Sequence, residues 1–198
     1  NLHHSCKDKS YHILSVPFFG IGHLICIFTA EGGIGLDCAD CKSGDVPTDI
    51  LKTVKAGMNV CLGTGGAVES SNLDLFEVMR YVVLDARRAA ENAAALPSHA
   101  ALMMATVCGA RAQGRANESG MLKEGMDADI VLVDFSAPHL MPCHNVLSGL
   151  VFSAKGGDVA MTMVRGKILY QNGNFPTIDL KSVIEELTTH AIPTLFSE

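Results

Sequence analysis

The sequence predicts an α/β segment that passes into a β-rich one, and three observations predict it. Residues 60–80, VCLGTGGAVESSNLDLFEVMR, read as a buried strand running through a glycine turn into a capped helix. Past Arg115 the apolar spacing changes from helical to extended, with a β-branched run from Ile130 to Phe135. Two further runs flank Arg165-Gly166-Lys167, and Asn172-Gly173 closes the second, which is the residue chemistry of hairpin turns. The chain therefore divides into 1–45, of uncertain structure, 46–115, the α/β part, and 116–198, the β-rich part with a C-terminal helix.

Residues 1–45 hold four of the eight histidines (His3, His4, His12, His23) and four of the seven cysteines, and sustain neither strand nor helix periodicity. The stretch VPTDILKTVKAG predicts a short helix with Thr48 as N-cap and Gly57 as its stop. MNVCLG follows as a buried strand. A helix opens at Ser71-Asn72 and places Leu75, Val78, Met79, Val82, Val83 and Ala86 on one face. An alanine-rich stretch extends it to about Ala94. Pro97-Ser98 restarts a helix through HAALMMATVCGARA, with Ser98 as cap. GMLKEGMDADIVLVDF then predicts a short strand, a glycine turn and the strand Ile130–Phe135. The last helix presents Leu180, Val183, Ile184 and Leu187 on one face behind Thr177 or Asp179.

Composition excludes several function classes. The 198 residues are 48% hydrophobic and 18% charged, enough for a packed core. A net charge of −6, with Arg87-Arg88 the only adjacent basic pair, argues against nucleic acid, because phosphate binding needs clustered Lys and Arg. The longest apolar window, Val16 to Ala30, is 15 residues long and includes His23. A membrane span needs roughly 20, so no membrane partner is expected, and the window lacks the flanks of a signal peptide. Seven cysteines, several inside apolar runs, suit a reducing cytoplasm better than a disulfide scaffold. Beginning at Asn1, the chain reads as a processed product or a piece of something larger.

Motifs that could hold chemistry have simpler structural explanations. Cys38-Ala-Asp-Cys41 has the spacing of a redox pair or half a zinc site, but no second pair completes four ligands. Gly63-Thr64-Gly65-Gly66 is neither GxGxxG nor a P-loop, and a tight turn accounts for it. The histidines form no HxH and no HExxH; His139 and His144 flank a proline turn. Glu69 stands near a helix start, where the dipole alone favours a carboxylate.

Taken in order, AGMNVCLGTGG with SSNLDLFEVMR, ALMMATVCGARAQGR, SGMLKEGMDADIVLVDFSAPHLMPCHN and GDVAMTMVRGKILYQNGNF resemble the C-terminal part of the amidohydrolase superfamily, in its chlorohydrolase and methylthioadenosine/S-adenosylhomocysteine deaminase branch. The resemblance implies the last strand-helix units of a (β/α)8 barrel plus the C-terminal part of a composite β-sandwich, with MNVCLG as the last barrel strand. It also implies a divalent metal, usually zinc, held by an HxH pair, by histidines on middle strands and by an aspartate closing the last strand. Such a metal lowers the pKa of bound water from about 15.7 to about 7, giving hydroxide that attacks an amidine-like carbon of a purine nucleoside or related heterocycle.

The family turn reads leucine-glycine-threonine-aspartate-glycine, whereas this chain has Leu62-Gly63-Thr64-Gly65-Gly66. Gly65 takes the metal-binding aspartate's place, and glycine has no side chain to offer. Thr64, Gly65, Gly66 and Glu69 are the active-site-loop candidates, and none supplies a catalytic or metal group by itself. His12 lies roughly where a middle-strand histidine would fall, in an unlike context, and residues 1–43 do not match the family. The expectation is a deaminase-like chain that binds no cofactor of its own and is inactive alone. The alternatives are a non-catalytic truncated relative or interaction protein and, as a minor option, a CxxC redox or zinc module. Self-association through exposed apolar edges is also expected, since a barrel cut open leaves unpaired strands.

Overall fold

The computed structural model describes residues 49–65 and 72–196, together with the backbone of three strands between residues 4 and 36. Those strands are β1 (His4–Cys6), β2 (Lys9–Leu14) and β3 (Gly33–Leu36). All three fall in the segment whose periodicity predicted no element, because their pairing partners supply the order that local pattern lacks. β3 pairs in parallel with β4 (Asn59–Leu62), Gly33 opposite Asn59 and Leu36 opposite Leu62, with helix α1 (Ile50–Lys55) between them in the chain. This β-α-β unit is the building block of a barrel.

Helix α1 starts one residue later than expected. Asp49, not Thr48, is its N-cap, its carboxylate accepting from Lys52 N at 3.1 Å. Gly57, at φ +79°, ends the turn as expected. Helix α2 (Leu75–Ala89) also opens later than Ser71-Asn72: the cap is Asp74, which accepts from Phe76 N at 2.9 Å. It stops at Ala89, short of Ala94, because Glu91 turns to φ +48°. The predicted face is the buried one, with Val78, Met79, Val82, Val83 and Ala86 in the core and Phe76 beside them. Each fully buried large side chain there stabilises by about 1.5–3 kcal/mol.

The helix expected after Pro97 is two helices. Pro97 is the cap residue and Ser98 the first helical one, so α3 runs Ser98–Ala105 and α4 Val107–Ala112. The break is at Thr106 (φ −124°, ψ −87°), whose hydroxyl donates to Leu102 O at 2.7 Å. A β-branched hydroxyl that bonds back in this way bends a helix.

The β-rich part contains β5 (Ile130–Asp134), α5 (Val146–Phe152), β6 (Val159–Val164) and β7 (Lys167–Gln171). The short strand expected before the glycine turn does not form, and residues 116–129 make turns. Arg165 (φ +47°) and Gly166 (φ +78°) are both left-handed, as a type I′ hairpin between β6 and β7 requires. The sheet order is β1-β2-β5-β6-β7, antiparallel throughout.

One interior crosses the change of architecture near residue 116. Val60 and Leu62 of β4 share a single buried cluster with the face of α2, with Met104 of α3, and with Val133, Phe135, Leu150 and Val151. Beyond β7, Asp179 caps a final helix α6 (Leu180–Glu186), accepting from Ser182 N at 3.2 Å. A π turn (Leu187–Ala191) and α7 (Ile192–Leu195) follow it.

Candidate functional site

In a barrel of parallel strands, chemistry belongs at the C-terminal strand ends. β3 and β4 run in register, so Leu36 and Leu62 mark one such end. Val60, Cys61 and Leu62 are buried, which fixes the strand and directs Gly63-Thr64-Gly65 out of it. Gly65 sits at φ +66°, in the left-handed region that glycine enters without cost. Among the described turn residues 63–65, Thr64 alone has a side-chain donor, a hydroxyl that makes a long contact of 3.4 Å to Gly65 O. Gly66 and Glu69 lie outside the described residues, as do Cys38 and Cys41.

The other sequence candidates are not brought to this end. His12 is on β2, paired opposite Val133 in the five-stranded sheet, not in the sheet that holds β4. His139 Nε2 is 2.9 Å from Asp158 Oδ2, and Lys155 N donates to the same carboxylate oxygen at 2.9 Å, so that pair fixes a turn. Cys61 and Cys108 are both poor nucleophiles at neutral pH. Burial pushes the Cys61 thiol up, with the nearby Cys108 adding to it, and burial raises Cys108 against the pull of Arg111.

Zinc is the metal that the likeness implies, and the described end of β4 does not offer the donors it takes. It takes imidazole, thiolate or carboxylate ligands, and the described end of β4 offers one hydroxyl. Among the described residues, no three His, Cys, Asp or Glu side chains converge where they could hold an ion.

The polar chemistry of the molecule is concentrated elsewhere, in residues that sequence reasoning missed. Asp129 is fully buried and accepts from Ser119 Oγ at 2.8 Å, Arg165 N at 2.9 Å and Arg115 Nη2 at 3.5 Å. Arg115 also bonds Asp127 at 3.0 Å and Glu118 at 3.1 Å, and Arg165 Nε bonds Asp127 at 3.1 Å. Burial alone would lower the Arg115 guanidinium; its bond to Glu118 and the charge of Asp129 outweigh that and hold it above its ordinary value. This clamp ties the exit of α4 to the start of β5 and to the β6–β7 hairpin. The signal was available in the sequence, as an Asp-Ala-Asp directly before a buried strand with an arginine on either side.

A second tie runs from Asp74. One carboxylate oxygen caps α2 and the other accepts from Gly156 N at 2.8 Å, across 82 residues. Arg80 Nη2 donates to Ala154 O at 2.8 Å, and the Arg87 guanidinium lies 5.0 Å over the Phe152 ring. Together these hold the β4–α2 unit against the β-rich part.

Comparison with known proteins agrees with this arrangement. The model of the amidohydrolase family matches residues 25–169, so the match reaches into the segment 1–45. The chain is 40% identical over 191 residues to the 5'-deoxyadenosine deaminase of Methanosarcina mazei, covering 89% of this chain and 44% of that protein. It is 40% identical over 146 residues to the 5-methylthioadenosine/S-adenosylhomocysteine deaminase of Moorella thermoacetica, covering 74% of this chain and 34% of the relative. A structure of an adenosine deaminase from Xanthomonas campestris with bound zinc superposes with a TM-score of 0.75 at 28% identity, over 80% of this chain and 37% of that one. The zinc complex of the Arthrobacter aurescens atrazine chlorohydrolase gives 0.72 at 26% identity, over 80% and 36%. The chain thus spans less than half the length of the curated relatives it matches. With a parallel strand pair ending in a glycine turn, a capped helix behind it and a sheet clamped to both, the chain belongs to the amidohydrolase family.

Proposed function

We propose that this chain is the C-terminal portion of a purine-nucleoside deaminase scaffold and that it turns over no substrate alone. The relatives it matches are named for deamination of 5'-deoxyadenosine, methylthioadenosine and S-adenosylhomocysteine, which makes an adenine-bearing nucleoside the substrate class of the scaffold. The observation that supports silence is Gly65. The strand end that should present a metal-binding carboxylate presents a hydrogen atom at φ +66°. Among the described residues no cluster of three His, Cys, Asp or Glu side chains could hold zinc.

The reaction belongs to a complete barrel, and this chain's part in it is positional. β4 and α2 form one stave, and the clamp and the Asp74 tie set that stave against the sheet. Among the described residues no helix is long and apolar enough to cross a membrane. The relatives' names give a small-molecule substrate class, and the scaffold is proposed to work in the cytoplasm.

The test is an ammonia-release assay on the purified full chain with adenosine, 5'-deoxyadenosine, methylthioadenosine and S-adenosylhomocysteine, beside zinc determination by elemental analysis. Neither turnover nor stoichiometric zinc is expected. One zinc per chain together with turnover would refute the reading.

A further inference from the structure

Among the described strands, β1 and β7 are the outer ones of the five-stranded sheet. Both are blunt. β1 is three residues long. β7 begins at exposed Lys167 and folds back at its other end, where Gln171 and Asn174 exchange backbone hydrogen bonds of 2.9 Å in both directions. Short, charged or folded-back edges are how sheets avoid pairing with other chains.

Beneath the β1–β2 hairpin lies a strand that is not blunt. β5 begins Ile130-Val131-Leu132-Val133, an uncharged run of high strand propensity in which all but Leu132 are β-branched. One side of it pairs with β6. The other side pairs with β2, from Tyr11 opposite Asp134 to Leu14 opposite Val131. The family match begins at residue 25, so it includes this edge and not its cover. The buried cluster described above draws on residues between Ile50 and Ala154, so removing the hairpin leaves that cluster in place.

We infer that the β1–β2 hairpin is a removable cover for β5, and that the bared edge takes the β5 of a second copy. Two β5 strands are self-complementary when antiparallel about a two-fold axis at Leu132. Ile130 then faces Asp134, Val131 faces Val133, and Leu132 faces its own counterpart. Each position from Val131 to Asp134 that β2 now pairs has a partner in that arrangement. An uncharged, β-branched edge without a cover is the kind that templates such pairing.

Sedimentation velocity comparing the full chain with one lacking residues 1–15 tests this, with circular dichroism reading the melting transition of each. The shortened chain is expected to keep a cooperative transition and to associate at least about tenfold more tightly than the full chain. Leu132→Lys in the shortened chain should undo that gain, because the two-fold axis sets the new charges directly opposite each other. Leu73→Lys, at a residue 58% exposed ahead of α2, should leave the gain intact. A shortened chain that associates no more than the full one overturns the inference. So does one that loses its transition, since the hairpin would then be part of the fold and no cover. A gain that survives Leu132→Lys, or that Leu73→Lys abolishes equally, places the contact elsewhere and overturns it too.

Discussion

The end of β4 and the clamp around Asp129 lie in one chain and have opposite characters. At the clamp, three carboxylates, two guanidinium groups, a hydroxyl and a backbone amide satisfy one another, and the central carboxylate is fully buried. At the strand end, the described residues offer one hydroxyl, which makes a 3.4 Å contact. What differs is the demand each place makes. A buried charge without partners costs several kcal/mol, so the clamp must be complete for the fold to exist. A short turn of glycines and a threonine buries no charge, so it makes no such demand on its neighbours.

That contrast can be broken most directly at Asp129. Alanine there strands the buried Ser119 hydroxyl and the Arg165 amide around a void, and a loss of about 3–5 kcal/mol is expected in chemical denaturation. A loss under 1 kcal/mol would show that the clamp is ornamental. Next comes Gly120→Ala. At φ +95° the new Cβ would lie 2.8 Å from Ala110 Cβ and 3.1 Å from Thr106 O, so strain and overlap together should cost about 2–4 kcal/mol. The same denaturation experiment reads it.

Asp74→Ala removes a helix cap and the tie to Gly156 together, and about 1–2 kcal/mol should go with them. Asn at the same position should recover most of that, because its oxygen still caps. Gly65→Asp should do least. Aspartate tolerates the left-handed region better than most residues, so stability is expected to change by about 1 kcal/mol or less, and ammonia release should remain absent. Turnover in that variant would mean that the remaining donors are supplied within this chain after all.

Much of the fold was legible where order is local. The apolar face of α2 and the β6–β7 hairpin follow from spacing and from residues whose φ is positive, Gly166 among them. The parts that escaped are set by distant partners or by side chains that compete with the backbone. β2 is ordered by pairing with β5, more than a hundred residues on, and nothing near Lys9–Leu14 announces it. The helix after Pro97 breaks because a threonine hydroxyl takes a carbonyl, which apolar periodicity does not register. Residues 121–125 looked like a strand, yet the backbone there is set by Asp127 N donating to Glu118 O at 2.7 Å, which closes a turn. At the site, position 65 was readable only by likeness to a family. Its φ of +66° lies in the left-handed region that glycine enters without cost.

The shared interior that crosses residue 116 has a consequence for how the chain can be cut. Lys123 lies in an exposed loop, flanked by exposed Leu122 and Glu124. Trypsin should nick there early, yet the two pieces should elute together, because Phe135, Leu150 and Val151 of one are embedded among Val83, Met79 and Leu62 of the other. Covalent continuity through that loop would then be dispensable once the chain has folded, and the nicked halves would come apart only with the denaturant that melts the intact protein.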